Sequence, residues 1–266
     1  MMQLTPVVKQ LLIINIIFFV GCYTLPHAND WFGLHYYDSD LFHPWQFFTY
    51  MFMHGGLLHI FFNMFALVSF GGLLEHFWGS SKFLFFYISC GLGAALVHMG
   101  VSYLTVQDVM HQLSGTQITA EDARLLLNAN YQTMEDAQGH IMGSVNDILN
   151  KYHFTQEQFN ILGHAIAEYQ VPTVGASGAI YGLLVAFAFM FPYAELSLMF
   201  IPIPIKAKYF VPILLCIDLI GGLKGSSIFG GASTGIAHFA HLGGALTGFI
   251  MMWIWRNQKF NQNRWN

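Results

Sequence analysis

The chain has 266 residues, of which 55% are hydrophobic, 17% aromatic and only 9% charged, with a formal net charge of −4 and a mean hydropathy of +0.49. That balance describes a membrane protein, and with no basic patch interleaved with aromatics it sets nucleic-acid partners aside. Cys22, Cys90 and Cys216 fall inside apolar stretches in no metal-ligand spacing, so neither a disulfide framework nor a zinc site follows.

A crossing needs about 20 mainly apolar residues, somewhat fewer where protein shields part of the helix. Six stretches qualify, near 7–24, 48–73, 83–104, 177–192, 207–223 and 236–255. The first has signal-like features, with Lys9 ahead of the apolar run and Phe19-Val20-Gly21-Cys22 loosely similar to a lipoprotein cleavage site. Phe is a poor residue there and five more spans follow, so the segment is kept as span one. With the N-terminus inside, Lys9, Lys82, Lys206, Lys208, Arg256, Lys259 and Arg264 are cytoplasmic, and only Arg124, Lys151 and Lys224 lie outside. The positive-inside rule thus places both termini in the cytoplasm.

Span two contains His54, His59 and Asn63. His59 and Asn63 are one helical turn apart on one face, whereas a continuous helix would turn His54 about 140° away from His59. The ring and the amide can therefore converge as donors to a developing oxyanion. Between spans three and four, residues 105–172 break the apolar pattern. Helix starts resembling capping boxes at Thr119-x-x-Asp122, Ser144-x-x-Asp147 and Thr155-x-x-Gln158 predict two or three short helices outside the membrane. This insertion is expected to modulate substrate access rather than chemistry.

Span four opens on Gly175-Ala176-Ser177-Gly178, which places a hydroxyl at a helix mouth, beside free N–H groups and the positive dipole end. From Ser177 to Pro192 it measures about 24 Å at 1.5 Å per residue, against a hydrocarbon core of about 30 Å, so its outer end lies below the surface. His241 of span six reaches the same depth. A serine hydroxyl needs a base, and His is the usual one. No acid lies one turn from His241, so the sequence describes a Ser–His dyad; Asp218 of span five is read as structural. Gly244 and Gly248 form a small-residue pair for helix contact.

These residues together resemble the rhomboid intramembrane serine proteases of the six-helix bacterial type. The resemblance rests on Gly175-x-Ser177-Gly178 with Tyr181, on Ala240-His241-x-x-Gly244-x-x-x-Gly248, and on His54-x-x-x-x-His59-x-x-x-Asn63. Gly71-x-x-x-Glu75-x-x-x-Gly79 and Trp45-Gln46-Phe47-Phe48-Thr49 add to it. It implies an all-α, six-transmembrane-helix bundle forming one domain over 1–266, with 105–172 as a partly helical extramembrane insertion. It implies Ser177 as nucleophile and His241 as base, with an oxyanion site of His59, Asn63 and the Ser177 N–H. Gly175, Tyr181 and His54 become supporting residues, and the first external loop, with Leu41, Phe42, Trp45 and Phe47, becomes a membrane-embedded hairpin. Gln46 stands where the family has arginine. His238, one turn from His241, leaves two candidate bases, of which the Ala-His-x-x-Gly spacing favours His241.

The expected activity is cleavage of membrane proteins in or near a transmembrane segment through an acyl-enzyme, with no metal or cofactor. A bacterial inner membrane is the expected location. Two rivals remain: a catalytically silent rhomboid-like protein that binds membrane clients, and a transporter or metal site lined by the membrane histidines.

Overall fold

The computed structural model describes residues 4–131, 134, 141–198, 201–224 and 236–256. Lys259 and Arg264, assigned above to the cytoplasm, and residues 132–133 and 135–140 of the insertion lie outside the described residues.

The fold is helical. Its apolar elements are α1 (Pro6–Thr24), α2 (Leu57–Trp78) and α3 (Ser80–Gln112). The insertion contributes α4 (Ala120–Asn128), α5 (Ser144–Lys151) and α6 (Gln156–Gln170). Then come α7 (Ser177–Met190), α8 (Ala207–Lys224) and α9 (Ile236–Trp255). The helices α1, α2 and α3 are long and apolar enough to cross a membrane, and α7 is a shorter apolar helix. Ile17, Leu96, Leu223 and Ile254 point outward from four of these helices, exposed as lipid-facing side chains would be.

Two boundaries and one added element differ from the sequence reading. Span two does not run from 48. The short turns Gln46–Thr49 and Tyr50–Phe52 come first, the chain extends through Gly56 at φ 172°, and the helix starts at Leu57. Span three does not stop at 104, because α3 has 33 residues. At 1.5 Å per residue it is about 50 Å long, about 20 Å more than the hydrocarbon core requires, and its C-terminal part serves as a post for the insertion. Between α7 and α8 lies an antiparallel hairpin, β1 (Glu195–Leu198) with β2 (Ile201–Lys206), which alternation did not reveal.

The centre of the bundle is α3, α7 and α9, packed through missing side chains. A Cβ on Gly244 of α9 would fall on the carbonyl oxygen of Gly178 in α7, and one on Gly248 would lie 2.8 Å from Gly182 Cα. On its other side α7 meets α3, where a Cβ at Gly178 would stand 2.5 Å from Ala94 Cβ and one at Gly182 would overlap Cys90. Close backbone approach through small residues is how helices associate where lipid removes the hydrophobic drive. The Gly244–Gly248 pair was legible as a contact, and Gly178 and Gly182 of α7 are what it meets. Around this trio, Leu67, Leu74, Phe83, Phe86, Tyr87 and Leu183 fill a buried core shared with α1 and α2. Glu75 ties α1 to α2 by accepting the Val7 and Val8 N–H groups at 2.9 Å each and the Ser80 hydroxyl at 2.7 Å, which satisfies donors that a helix N-terminus leaves open.

The insertion has its own core, in which Leu126, Leu127, Val145, Leu162 and Ala165 close over Val106 and Val109 of α3. Thr119 caps α4 and Thr155 forms a full capping box on α6, as their spacing suggested. Ser144 does not cap α5; Gly143, at φ +70°, occupies that position and makes no side-chain bond. Glu168 of α6 is buried, and burial pushes its carboxyl up to about 7, against the pull of a hydrogen bond with Ser102.

This packing can be tested at two glycines and at the buried acid. Gly244→Ala should cost at least the roughly 1–3 kcal/mol of an overpacked core, because backbone cannot yield as a side chain can. Gly100→Ala, an exposed α3 position with open space, should be neutral or stabilising by about 0.5–1 kcal/mol. Thermal unfolding in detergent reads both, and equal midpoints for the two variants would contradict the close contact. For Glu168, the unfolded chain, with a value near 4.5, gives up its proton first, so stability should fall as pH rises from there to about 7 and stay flat above. Glu168→Gln should remove that part of the slope and raise the midpoint at pH 8. A parent-to-variant difference that is the same at pH 5 and pH 8 would contradict it.

Candidate active site

Ser177 is the first residue of α7, and the turn that delivers it is held from three sides. Leu34 and Thr173 exchange both N–H···O bonds at 2.9 Å, Thr173 Oγ1 meets His98 Nε2 at 2.7 Å, and the Gly175 N–H donates to Tyr50 O at 2.9 Å. Gly175 has φ +132°, a conformation that side-chain-bearing residues rarely adopt. It has no room for a side chain either. A Cβ there would sit 2.8 Å from His59 Nε2 and 3.4 Å from Ser177 Oγ, so the imidazole and the hydroxyl border the same small space.

His241 Nε2 lies 2.8 Å from Ser177 Oγ. The Tyr181 ring stacks on His241, with centroids 4.3 Å apart and planes 11° from parallel, which fixes the imidazole plane. His241 Nδ1 faces Asp218 Oδ1 of α8 at 3.3 Å. His238 Nδ1 makes a short hydrogen bond to the same Asp218 oxygen. Between the two candidate bases, the one with the Ala-His-x-x-Gly spacing is the one beside the hydroxyl.

His59 accepts the Gly55 N–H at Nδ1, 3.3 Å away, which assigns the proton of a neutral ring to Nε2, the nitrogen bordering Ser177. Asn63, buried one turn along, donates one amide hydrogen to His59 O at 3.0 Å and keeps a second. His54 is not turned away from His59. Because 53–56 is not helical, the two rings pack edge to face at 5.1 Å, and His54 Nδ1 meets Phe52 O at 3.3 Å. A helical wheel misplaced His54 because the helix starts only at Leu57.

Gln46, which stands where the resemblance has an arginine, anchors the first loop. Fully buried, it donates to Asp30 O at 2.9 Å and Leu41 O at 2.8 Å and accepts the His35 N–H at 3.2 Å, so the first loop is pinned by a neutral amide. Trp45 donates to Trp31 O at 2.9 Å, and Trp31, His43 and Trp45 stack into one exposed aromatic shelf. Exposed aromatics of this kind suit a membrane–water boundary.

Asp218, His238 and His241 offer donor atoms within 4.8 Å of one another, a spacing a cation can use. The two imidazole Nδ1 atoms both meet Asp218 Oδ1, and hydrogen bonding already accounts for their convergence. Among the described residues, His54 and His59 belong to no such group. Asp218, read from the sequence as structural, is brought beside both histidines. It lies on a different helix from His241, and its one signal was an acid at membrane depth.

The rhomboid domain family matches residues 42–116 and 133–258. A 71-residue stretch is 34% identical to the rhomboid-like protein 15 of Arabidopsis thaliana, covering 27% of this chain and 18% of that relative. With its serine at the mouth of a short apolar helix, and with the family matched across most of its length, this chain belongs to the rhomboid family.

Proposed function

We propose that this protein is an intramembrane serine protease that cleaves peptide bonds in or near transmembrane segments of other membrane proteins. The observation that carries the reading is the 2.8 Å approach of His241 Nε2 to Ser177 Oγ, at the open N-terminus of α7. A silent client-binding relative has no need of that pair, and a histidine-lined transporter has no need of the serine.

In this mechanism, His241 takes the Ser177 proton as Oγ attacks the scissile carbonyl carbon, and the carbonyl electrons move onto oxygen. His59 Nε2–H, the second Asn63 amide hydrogen and the Ser177 N–H are the donors for that oxyanion. His241 then gives the proton to the leaving amine, and water, activated by the same ring, releases the acyl group. The helix α7, of 14 residues and about 21 Å, is too short for the hydrocarbon core of about 30 Å, so water can reach its mouth without crossing lipid. All six apolar helices cross the membrane in this reading, with both ends in the cytoplasm of a bacterial cell and the insertion outside.

Ser177→Ala should abolish cleavage of a single-span reporter in detergent, together with labelling by a fluorophosphonate, while the protein stays folded. His241→Ala should be equally inactive, because the pair acts as a unit. Activity above trace in either variant would overturn the assignment. Asn63→Ala should lower turnover by roughly 10²–10³, the usual weight of one oxyanion donor, and an unchanged rate would remove Asn63 from the site.

A further inference from the structure

Asp218 stands 3.3 Å from His241 Nδ1, and its Oδ1 also holds His238 Nδ1. Its side chain is 7% exposed, and Oδ2 is buried with no hydrogen-bond partner among the described residues. A carboxylate taken this far out of water is costly unless it is paired. The groups that face it are His238 and His241 from α9 and Tyr181 from α7.

We propose that Asp218 is a positioning residue that completes a Ser177–His241–Asp218 relay, with His238 as the strut that holds the carboxylate in place. The inference rests on the protease reading. By accepting the Nδ1–H of His241, Asp218 commits that ring to the tautomer whose Nε2 lone pair faces Ser177 Oγ. When Nε2 takes the serine proton the ring becomes an imidazolium with the aspartate alongside, and when the amine leaves, the proton departs from Nε2. Asp218 gains and loses no proton in either step. Both rings place Nδ1 on Asp218, and His241 is the one whose Nε2 is paired with the serine, which leaves His238 the part of holding the carboxylate. Tyr181 complements the acid: stacking fixes the plane of the ring, and the carboxylate fixes its rotation and its tautomer. The acid comes from α8 and the base from α9, so the relay also requires those two helices to stay packed during turnover.

The test compares the parent, Asp218→Asn, His238→Ala and Ser177→Ala on one transmembrane reporter. The amide is isosteric, and at the aspartate of a Ser-His-Asp triad the same exchange leaves the geometry intact while presenting the wrong tautomer. Asp218→Asn should lose at least tenfold in kcat with KM within twofold, and the rate of fluorophosphonate labelling should fall in parallel. His238→Ala should lose less. Should the aspartate variant not fold, the ¹⁵N shifts of the histidine-labelled parent decide instead, with the His241 proton expected on Nδ1. An unchanged kcat in a folded Asp218→Asn, a proton on Nε2, or a parent inhibited by chelators would each overturn the relay. A parent that does not cleave, or a Ser177→Ala variant that does, would overturn the protease reading itself.

Discussion

Everything at the site depends on how closely α7 and α9 approach. With no Cβ at Gly178, Gly182, Gly244 or Gly248, the two backbones touch, and α3 presses on α7 from the other side through Ala94 and Cys90. Ser177 lies one residue before the first of these glycines and His241 three residues before Gly244. The 2.8 Å between hydroxyl and imidazole is thus set by backbone packing. A contact built from backbone and methyl groups has little freedom to relax, which is what a pair of reacting groups needs to stay in hydrogen-bond range.

A second constraint acts on the approach to Ser177. The segment 171–176 is clamped between the first loop, through Leu34 and Tyr50, and α3, through His98. The insertion extends this clamp. Ser39 Oγ donates to Tyr169 O at 2.8 Å, the Tyr169 hydroxyl to Asp38 at 2.8 Å, and Arg124 pairs with Asp40 at 2.8 Å. The exposed Arg124 pair adds little stability by itself. The buried backbone and hydroxyl bonds carry more, and they join insertion and first loop into one support for the serine turn.

Much of this was legible in the sequence because membrane proteins make polar residues at depth conspicuous. Ser177, His241, His59 and Asn63 stood out for that reason, and the Thr119 and Thr155 caps stood out because local chemistry fixes them. What escaped notice depended on contacts between segments. Asp218 and His241 are 23 residues apart, joined only by the packing of α8 on α9. His54 was misplaced because periodicity says nothing about a break at 53–56. Gln46 looked like the loss of a cation, whereas buried carbonyls ask only for a donor, and an amide supplies two.

For the proposed chemistry, Ser177, His241 and His59 must surround a single point where a carbonyl would react. The structure of the protein inactivated with a mechanism-based phosphonate tests this most directly. The expected result is phosphorus bonded to Ser177 Oγ, with one phosphoryl oxygen in hydrogen-bond range of His59 Nε2 and the Asn63 amide, and with the Tyr181–His241 stack intact. Phosphorus on another residue, or a phosphoryl oxygen turned away from His59 and Asn63, would contradict it.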